Sequence, residues 1–307
     1  MGGDRPDIDG PSGVAVDFGG TKIAALRLRD GIILEHRIAQ TDGAASAQQQ
    51  VEAIAELLGD LGLGAGETVG IAVAGRVDSD GCWHALNTET LSHVARVPLR
   101  ALLSERLGCP VRVENDATAA AIGEHRYGAG RGARNFGFVT VSTGVGGGLI
   151  VNGAPVVSAS GLAGHVGFMT STLAERRCGS GRMKTVESRA GGRAIAAYAE
   201  AAGHPGLNAK EVYDAHLAGA LWASALIDTS AAAVAELCAN LKTLLDLDRI
   251  ALGGSIGLAK HYVEAVERHL AGEPEIFRVA VVRAELGHNP ALYGVLAPPT
   301  PSTSAAT

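Results

Sequence analysis

The sequence predicts an α/β protein with two lobes. Short apolar runs alternate with helical patterns along a chain of 307 residues that is 47% hydrophobic, enough for two ordinary domains with substantial cores. The 42 glycines follow no period and fall mostly between the apolar runs, as turns do in α/β proteins. A strand, a glycine-rich turn and a second strand occur near the start of the chain and again near its middle. This repeat indicates two lobes that are built alike.

The first part of the chain predicts five strands and three helices. Residues 1–12 are polar and rich in Gly, Pro and Asp, so we expect a flexible tail. Runs of β-forming residues separated by turn residues predict strands at 14–18, 23–28, 32–39, 68–74 and 111–113. Apolar residues at helical spacing, with a proline in the first turn of the second segment, predict helices at 46–61, 98–107 and 117–127.

The second part begins after the flexible joint 128–132 and repeats the opening pattern. Strands are predicted at 136–142, 149–151, 249–252 and 277–283, and helices at about 185–202, 208–217, 219–246 and 258–270. The irregular stretch 153–184 is too long for an idle connection, so we expect a functional loop. We therefore expect an N-terminal lobe of residues 13–117, joined by the C-terminal segment near 289–297, a C-terminal lobe of residues 118–288 and a flexible tail at 298–307.

Charge and composition favour a small-molecule substrate. The net charge of −6 and the pI near 5.9 argue against nucleic acid or an anionic membrane as a partner. The N-terminus lacks the regions of a signal peptide, and the sequence shows no unbroken apolar run of roughly 18 residues, so we expect a cytoplasmic protein. The four cysteines are far apart, which favours reduced thiols over a disulfide framework or a self-contained zinc motif.

The opening glycine turn has the residue types of a phosphate site. The strand VAVDF ends near Asp17 and is followed by Gly19, Gly20, Thr21 and Lys22. Glycines bring backbone N–H groups close to a ligand, and the hydroxyl and the lysine add a donor and a positive charge. Asp17 could hold Mg²⁺ through water, because Mg²⁺ binds few carboxylates and keeps much of its hydration. A turn of this kind is weak evidence on its own.

Four stretches in a fixed order add to that evidence: DFGGTK from Asp17, ENDA from Glu114, STGVGGG from Ser142 and LGG from Leu252. Together they resemble the ROK family of sugar kinases and repressors, over roughly residues 13–296. The resemblance implies an actin-like, ribonuclease H-like fold with ATP and a sugar in the cleft between two lobes. It also implies transfer of the γ-phosphoryl group of ATP to a sugar hydroxyl, commonly the 6-hydroxyl, and a homodimer.

The resemblance also assigns roles to residues. The general base is Asp116, a residue type suited to orienting the attacking hydroxyl. Alone, the Asn115-Asp116 pair would be read as a helix N-cap. The residues that the resemblance places on the sugar are Gly75, Asn87, Asn115 and Glu187. Those that it places on ATP are Gly19, Gly20, Thr21, Lys22, Thr143, Gly144, Val145, Gly146, Gly253 and Gly254, with Mg²⁺ as the metal.

The irregular stretch 153–184, here called the central loop, departs from the family pattern. Where relatives have Gly-Glu-x-Gly-His, this chain has His165 in the place of the Glu and Phe168 in the place of the His. The family's zinc cluster, Cys-x-Cys-Gly-x-x-Gly-Cys, aligns with residues 178–185, where Cys178 alone remains. One thiol cannot form a closed tetrahedral zinc site, so we expect no zinc. Packing by Phe168, Leu173 and Met183, or substrate binding and closure of the lobes, could order the loop instead.

The altered loop leaves the sugar open. A neutral imidazole at position 165 donates or accepts one hydrogen bond where a carboxylate only accepts, so we expect His165 to contact the sugar and to change specificity. Glucose and an aminohexose of the kanosamine type are the leading candidates, and N-acetylmannosamine is an alternative.

Two other classes of function compete with a kinase. Residues 253–257 match the G-x-S-x-G elbow of serine hydrolases, centred on Ser255. That elbow needs an Asp or Glu and then a His after the serine, and no Asp follows Ser255. The hydrolase reading also leaves both earlier glycine turns unexplained. A sugar-sensing regulator is the other alternative. Regulators of this kind carry an N-terminal DNA-binding domain, for which residues 1–12 are too short.

Overall fold

Two five-stranded sheets form the framework of the molecule. The computed structural model describes residues 10–19, 22–64, 66–86 and 94–299. The first sheet has the order β3-β2-β1-β4-β7, in which β1 pairs antiparallel with β2 and parallel with β4, and β4 pairs parallel with β7. Its strands are β1 (Gly13–Phe18), β2 (Lys22–Arg29), β3 (Ile32–Gln40), β4 (Val69–Val73) and β7 (Val111–Asn115). A small hairpin of β5 (Arg76–Val77) and β6 (Trp83–His84) follows β4.

The second sheet repeats the first. Its order is β10-β9-β8-β11-β12, with an antiparallel start and three parallel strands in the same relative positions. The strands are β8 (Phe136–Val141), β9 (Val145–Val151), β10 (Ala154–Pro155), β11 (Arg249–Gly253) and β12 (Ala280–Arg283). The repeat predicted from the two glycine turns is therefore confirmed at the level of strand order.

Three helices accompany the first sheet: α1 (Ala47–Asp60), α2 (Leu99–Leu107) and α3 (Asp116–Tyr127). Helix α1 begins with a capping box in which Ser46 and Gln49 satisfy each other's backbone N–H groups. Its apolar face, including Ile54 and Leu58, is fully buried with β1 and β4 in one core cluster. Helix α3 has Asn115 as its N-cap, which accepts the backbone N–H of Thr118 at 2.9 Å.

Some helices and strands around the second sheet differ from the sequence expectations. The helices are α4 (Glu187–Ala190), α5 (Gly192–Ala201), α6 (Ala209–Leu217), α7 (Leu221–Leu245), α8 (Gly254–Gly257) and α9 (Tyr262–Leu270). The predicted helix 185–202 is broken at the extended residue Gly191. The predicted helix 258–270 begins only at Tyr262, after His261 at φ 69°. The strand expected from Phe277 begins at Ala280, because Glu275–Phe277 forms a 3₁₀ turn.

Helix α7 is the main core helix on the second sheet. Its 25 residues are long and apolar enough to cross a membrane by length and composition, but half of its apolar window is buried inside the fold. Val234, Leu237 and Leu241 are buried in one cluster with β8, β11 and α9. The apolar character of α7 is therefore accounted for by core packing.

The last helix, α10 (Pro290–Leu296), returns the chain to the first sheet. It packs on α3, β1 and β4, and Val295 and Leu296 are buried beside Ala15 and Ala72. The contact with α3 is close at two glycines: a Cβ at Gly294 would lie 1.7 Å from the carbonyl oxygen of Ala119, and one at Gly123 would lie 2.1 Å from that of Pro290. Only glycines permit this helix crossing.

Candidate active site

A cavity of about 960 Å³ lies between the two sheets. The carboxyl ends of parallel strands β1, β4 and β7 open into it from the first sheet, as the topology of open α/β sheets leads one to expect. The second glycine turn, within residues 142–148, and the central loop line it from the second sheet. The predicted site residues in its lining are Asp17, Gly19, Gly75, Asn115, Asp116, Thr143, Gly144, Val145, Gly146, His165 and Glu187.

Asp116 lines the cavity as the first residue of α3. Its Oδ1 accepts the backbone N–H of Ala117 and the side-chain Nδ2–H of Asn115, both at 2.8 Å. Burial, and then the negative charge of Asp17, raise the pKa of Asp116 to about 7. The residue is partly exposed to the cavity, yet protein surrounds its carboxyl group and disfavours the charged form.

Asn115 links the carboxyl group of Asp116 to the backbone of Gly75, which follows β4. Its Nδ2 also donates to the carbonyl oxygen of Gly75 at 2.7 Å, and its Oδ1 caps α3. Gly75 has φ 109°, and a Cβ there would lie 2.4 Å from the carbonyl oxygen of His84. The predicted N-cap and the predicted site residue are thus the same side chain, with its amide held in one orientation.

Asp17 lies near the end of β1 and lines the same cavity as Asp116. Burial raises the pKa of its carboxyl group, and the charge of Lys22 opposes that shift. In the opening turn the Gly19 N–H donates to the Lys22 carbonyl at 3.0 Å. Gly20 and Thr21 lie outside the described residues, as does Asn87, and their roles stay predictions.

The second glycine turn is fixed by α5 and by Glu187. The N–H groups of Gly192 and Arg193 donate to the carbonyls of Ser142 and Thr143 at 2.7 and 3.1 Å. Glu187 Oε2 accepts the Val145 N–H at 3.1 Å, and burial raises the pKa of this carboxyl group. A Cβ at Gly144 would lie 2.4 Å from the same oxygen. Glu187 therefore braces the turn, and in this conformation the Val145 N–H is not available to a phosphate.

Gly253 and Gly254 lie beside that turn rather than in the cavity wall. Strand β11 is parallel to β8, so their carboxyl ends are neighbours. Gly254 has φ 83°, and a Cβ there would lie 2.4 Å from the Val141 carbonyl oxygen. The Ser255 hydroxyl lies 3.2 Å from the Ser142 hydroxyl, a neutral group and not a base, so the elbow lacks the contact that activates a nucleophilic serine.

The sugar side of the cavity contains His165 stacked on Phe168, with ring centroids 6.0 Å apart and planes 11° apart. His165 Nδ1 lies 3.1 Å from the Leu162 carbonyl oxygen, so Nδ1 carries the proton of the neutral ring. Burial lowers the pKa of this imidazole. Its Nε2 is buried and has no hydrogen-bond partner among the described residues, so one acceptor of the ring is left unsatisfied.

Hydrogen bonds help to order the central loop, and two of the three side chains expected to pack there do not. Leu173 and Met183 are 38% and 41% exposed, so the proposed role for these two side chains is wrong. Ser171 instead donates to Glu236 of α7 at 2.5 Å. Thr185 and Ser188 exchange hydrogen bonds of 3.0 and 3.1 Å.

The loop does not offer the donors of a zinc site. Cys178 Sγ lies 3.1 Å from the Ser180 hydroxyl, and among the described residues His, Cys, Asp and Glu form no group of three that could hold a metal. Structural zinc sites in proteins are closed by four thiolate or imidazole ligands, so these residues do not fit one. Its absence stays a prediction.

Sequence reasoning missed the basic part of the cavity wall. Arg176, Arg177 and Arg193 line the cavity with Cys178, and Arg176 also lies 4.7 Å over the Tyr198 ring. The available signal was the density of basic residues between 176 and 193 in an acidic chain.

This geometry agrees with the comparisons with known proteins. The ROK family profile matches residues 13–297. The chain belongs to the ROK family. It is 36% identical over 281 residues to an N-acetylmannosamine kinase from Haemophilus influenzae, with 92% of this chain and 93% of that protein covered.

Two further relatives bear on fold and length. A ROK family glucokinase from Streptomyces griseus, solved in complex with glucose and AMPPNP, is 29% identical with a TM-score of 0.80, and covers 94% of this chain and 98% of its own. The actin-like fold of this ROK protein is therefore confirmed. The bifunctional enzyme NanE/NanK from Brucella melitensis is 37% identical over 92% of this chain, but the chain spans about half, 52%, of that relative.

Proposed function

We propose that this ROK protein is an ATP-dependent sugar kinase that transfers the γ-phosphoryl group of ATP to a hydroxyl of a hexose or aminohexose, the 6-hydroxyl by family resemblance. The observation that carries the proposal is the position of Asp116. A carboxyl group with a pKa of about 7 lines a cavity that a glycine-rich turn also lines.

Asp116 acts as the general base in this proposal. Two hydrogen bonds to Oδ1 hold the carboxylate, and the other oxygen accepts the proton of the attacking hydroxyl. A base with a pKa near the working pH combines a populated basic form with useful proton affinity. Asn115, fixed through Gly75 and the start of α3, orients the sugar.

The phosphates lie between the two glycine turns. Positioning and charge neutralisation supply most of the catalysis of phosphoryl transfer. Gly19 and Lys22 act from the first sheet, with Gly20 and Thr21 as predicted partners. Thr143, Gly144 and Gly146 act from the second sheet; Val145 can donate only if Glu187 releases its N–H. Gly253 and Gly254 make room for the adenosine.

Asp17 fits a role as the Mg²⁺ residue. Two carboxyl groups of raised pKa lie together at one end of the cavity, and a divalent cation would relieve their repulsion. When bound with ATP, Mg²⁺ neutralises phosphate charge. Asp17 would hold the ion through water, while Asp116 remains the proton acceptor.

The relatives favour N-acetylmannosamine among the candidate sugars. Proteins 36–37% identical over nearly their full length are N-acetylmannosamine kinases. The acceptor Nε2 of His165 suits a donor such as an amide N–H or a hydroxyl. Glucose is the second candidate, supported by the glucose complex of the Streptomyces griseus relative, and the kanosamine-type aminosugar is the third.

An ADP-release screen tests the proposal. N-acetylmannosamine, glucose, glucosamine, kanosamine and mannose are each supplied with ATP and Mg²⁺, to the wild-type protein and to Asp116→Asn. We expect sugar-dependent ADP release by the wild type alone. Turnover of a sugar that does not require ATP would contradict the kinase function. Equal turnover by both proteins would contradict the role of Asp116. Sugar binding without turnover would favour the sensing regulator.

Assembly and location complete the proposal. We place the lobe boundary after residue 117, with α10 returning to the first lobe through its contacts with β1 and β4. A cytoplasmic homodimer is proposed from the family, without a nucleic-acid or membrane partner. Light scattering coupled to size-exclusion chromatography tests the dimer.

A further inference from the structure

Three side chains form a hydrogen-bonded chain on the hairpin that follows β4. Asp78 Oδ2 lies 2.9 Å from His84 Nε2, and His84 Nδ1 lies 3.1 Å from an Nη2 of Arg76. The other end of Arg76, Nη1, donates to the carbonyl oxygen of Ser160. Because Ser160 follows β10 of the second sheet, this chain of contacts joins the two sheets beside the cavity.

The chemistry of the three groups fixes the direction of each hydrogen bond. A guanidinium only donates, so His84 Nδ1 accepts from Arg76. The single proton of the neutral imidazole is then on Nε2 and is donated to Asp78. Asp78 Oδ1 accepts the N–H groups of Cys82 and Asp80 at 2.9 and 3.0 Å. His84 is 8% exposed, and its position is therefore fully specified.

The backbone of the hairpin also contacts the segment 158–161. The Ser79 N–H donates to the Ala159 carbonyl at 3.1 Å. Gly161 has φ 72°, and a Cβ there would lie 2.0 Å from the carbonyl oxygen of Val77. The hairpin and the segment 158–161 are thus in direct contact on both sides of the Arg76 side chain.

Both ends of this contact lead to the sugar side of the cavity. On the hairpin, Arg76 directly follows Gly75, whose carbonyl holds Asn115 at 2.7 Å. On the other side, the Leu162 carbonyl accepts the Nδ1–H of His165 at 3.1 Å. Arg76 therefore spans the two walls that carry Gly75 and His165.

We propose that Arg76, held by His84 and Asp78, is a positioning residue that sets the distance between the Gly75 wall and the His165 wall and so determines the affinity for the sugar. The inference rests on the proposed kinase function. Arg76 does not bind the sugar itself in this proposal, because it acts through Ser160 and the loop that follows. Its effect is directed at the sugar and leaves the nucleotide side, built on residues 142–146, unchanged.

The first test compares Arg76→Met with the control Arg37→Met. Methionine keeps much of the length of arginine and removes the donors, while Arg37 lies on β3, half exposed and paired with Glu35. We expect Arg76→Met to raise the KM for the sugar about tenfold, as for the loss of one hydrogen bond to a charged group. The KM for ATP stays within about twofold, and Arg37→Met matches the wild type in both.

Two substitutions of His84 separate positioning from general stability. Asn places an oxygen near the position of Nδ1 and keeps an acceptor for Arg76, whereas Gln reaches Asp78 and removes that acceptor. We expect His84→Gln to repeat the effect of Arg76→Met on the sugar KM and His84→Asn to remain near the wild type. Equal sugar KM values for the two variants would overturn the role of the His84–Arg76 contact.

Hydrogen exchange followed by mass spectrometry gives a measurement that does not need turnover. In Arg76→Met and His84→Gln, the amides of 158–165 should exchange faster than in the wild type, with 142–146 unchanged. Faster exchange with an unaltered sugar KM overturns the proposal, as does unchanged exchange at 158–165 or an equal rise in the KM for ATP. If the wild type turns over none of the sugars, the kinase function fails. Isothermal titration of the same sugars then reports whether Arg76→Met weakens binding, and unchanged binding overturns the positioning role.

Discussion

The carboxyl groups of Asp17 and Asp116 line the same cavity, and the charge of Asp17 adds to burial in raising the pKa of Asp116 to about 7. Asp17 lies one residue before the end of β1, and Asp116 begins α3. Parallel pairing of β1, β4 and β7 brings these ends together. Two like charges in a buried site disfavour double ionisation, so the proton affinity of the base depends on its neighbour.

The first prediction concerns the pH dependence of kcat/KM. The proposed base acts as a carboxylate, and its raised pKa means that the protonated form dominates below about 7 in the free enzyme. We therefore expect kcat/KM to fall about tenfold per pH unit below that value. Initial rates from pH 5 to 9 at fixed free Mg²⁺ measure the profile. A plateau that extends down to pH 5 would contradict the assignment of Asp116.

The second prediction concerns the stability of Asp116→Asn. The folded-state pKa of Asp116, about 7, lies above the ordinary pKa of an aspartate, 3.8, so between these values the folded protein binds more protons than the unfolded chain. Its contribution to the free energy of unfolding therefore decreases as pH rises from 4 to 7. Asparagine removes this cost, and we expect Asp116→Asn to be more stable than the wild type at pH 8, by about 2–4 kcal/mol.

Urea unfolding at pH 8 and pH 4 measures that difference. The stability gain should be present at pH 8 and largely absent at pH 4, where both proteins carry a neutral side chain at this position. If Asp116→Asn were only as stable as the wild type at pH 8, or less stable, the charged carboxylate of Asp116 would not destabilise the folded protein. The same samples should lack sugar-dependent ADP release.

The sequence predicted the repeated sheets because their signals are local. Each glycine turn lies between two apolar strands, and strand pairing across a short turn needs no distant partner. The break of the predicted helix 185–202 is different. A Cβ at Gly191 would lie 3.1 Å from the Cα of Gly144, so the helix ends where it meets the second glycine turn. That contact joins residues 47 positions apart and leaves no local pattern.

The site shows the same division. Asn115 and Asp116 were predicted from a motif, and the structure places both in the cavity. The hydrogen bond from Val145 to Glu187 was not predicted, because the two residues meet only after the central loop folds back. The Arg76–His84 contact was missed for a similar reason: it depends on the path of a hairpin with two-residue strands.

The third prediction uses two glycines of opposite environment. A Cβ at Gly294 would lie 1.7 Å from the Ala119 carbonyl oxygen, whereas one at Gly59, inside α1, would meet nothing within 4 Å. Gly294→Ala must therefore separate α10 from α3, and we expect a loss of at least about 3 kcal/mol of unfolding free energy. Gly59→Ala should be neutral or stabilising by up to about 1 kcal/mol.

Chemical unfolding of the two alanine variants side by side provides the measurement. Both changes add one methyl group to a helix, so their difference isolates the close helix crossing. Equal stabilities would show that α10 does not depend on its approach to α3.

The fourth prediction concerns zinc and the central loop. Ser180 and Thr185 stand where the family pattern has cysteines, and Phe168 where it has histidine. The loop is instead held by Ser171 on Glu236 and by hydrogen bonds between Thr185 and Ser188. We expect substoichiometric zinc by elemental analysis of protein purified without chelator, and full activity after chelator treatment once Mg²⁺ is restored. The combined variant Phe168→His, Ser180→Cys and Thr185→Cys supplies a matched control, because it restores imidazole and thiolate ligands beside Cys178 and should bind about one zinc per chain. Tightly bound zinc in the wild type at a similar level would mean that another set of ligands replaces the family cluster.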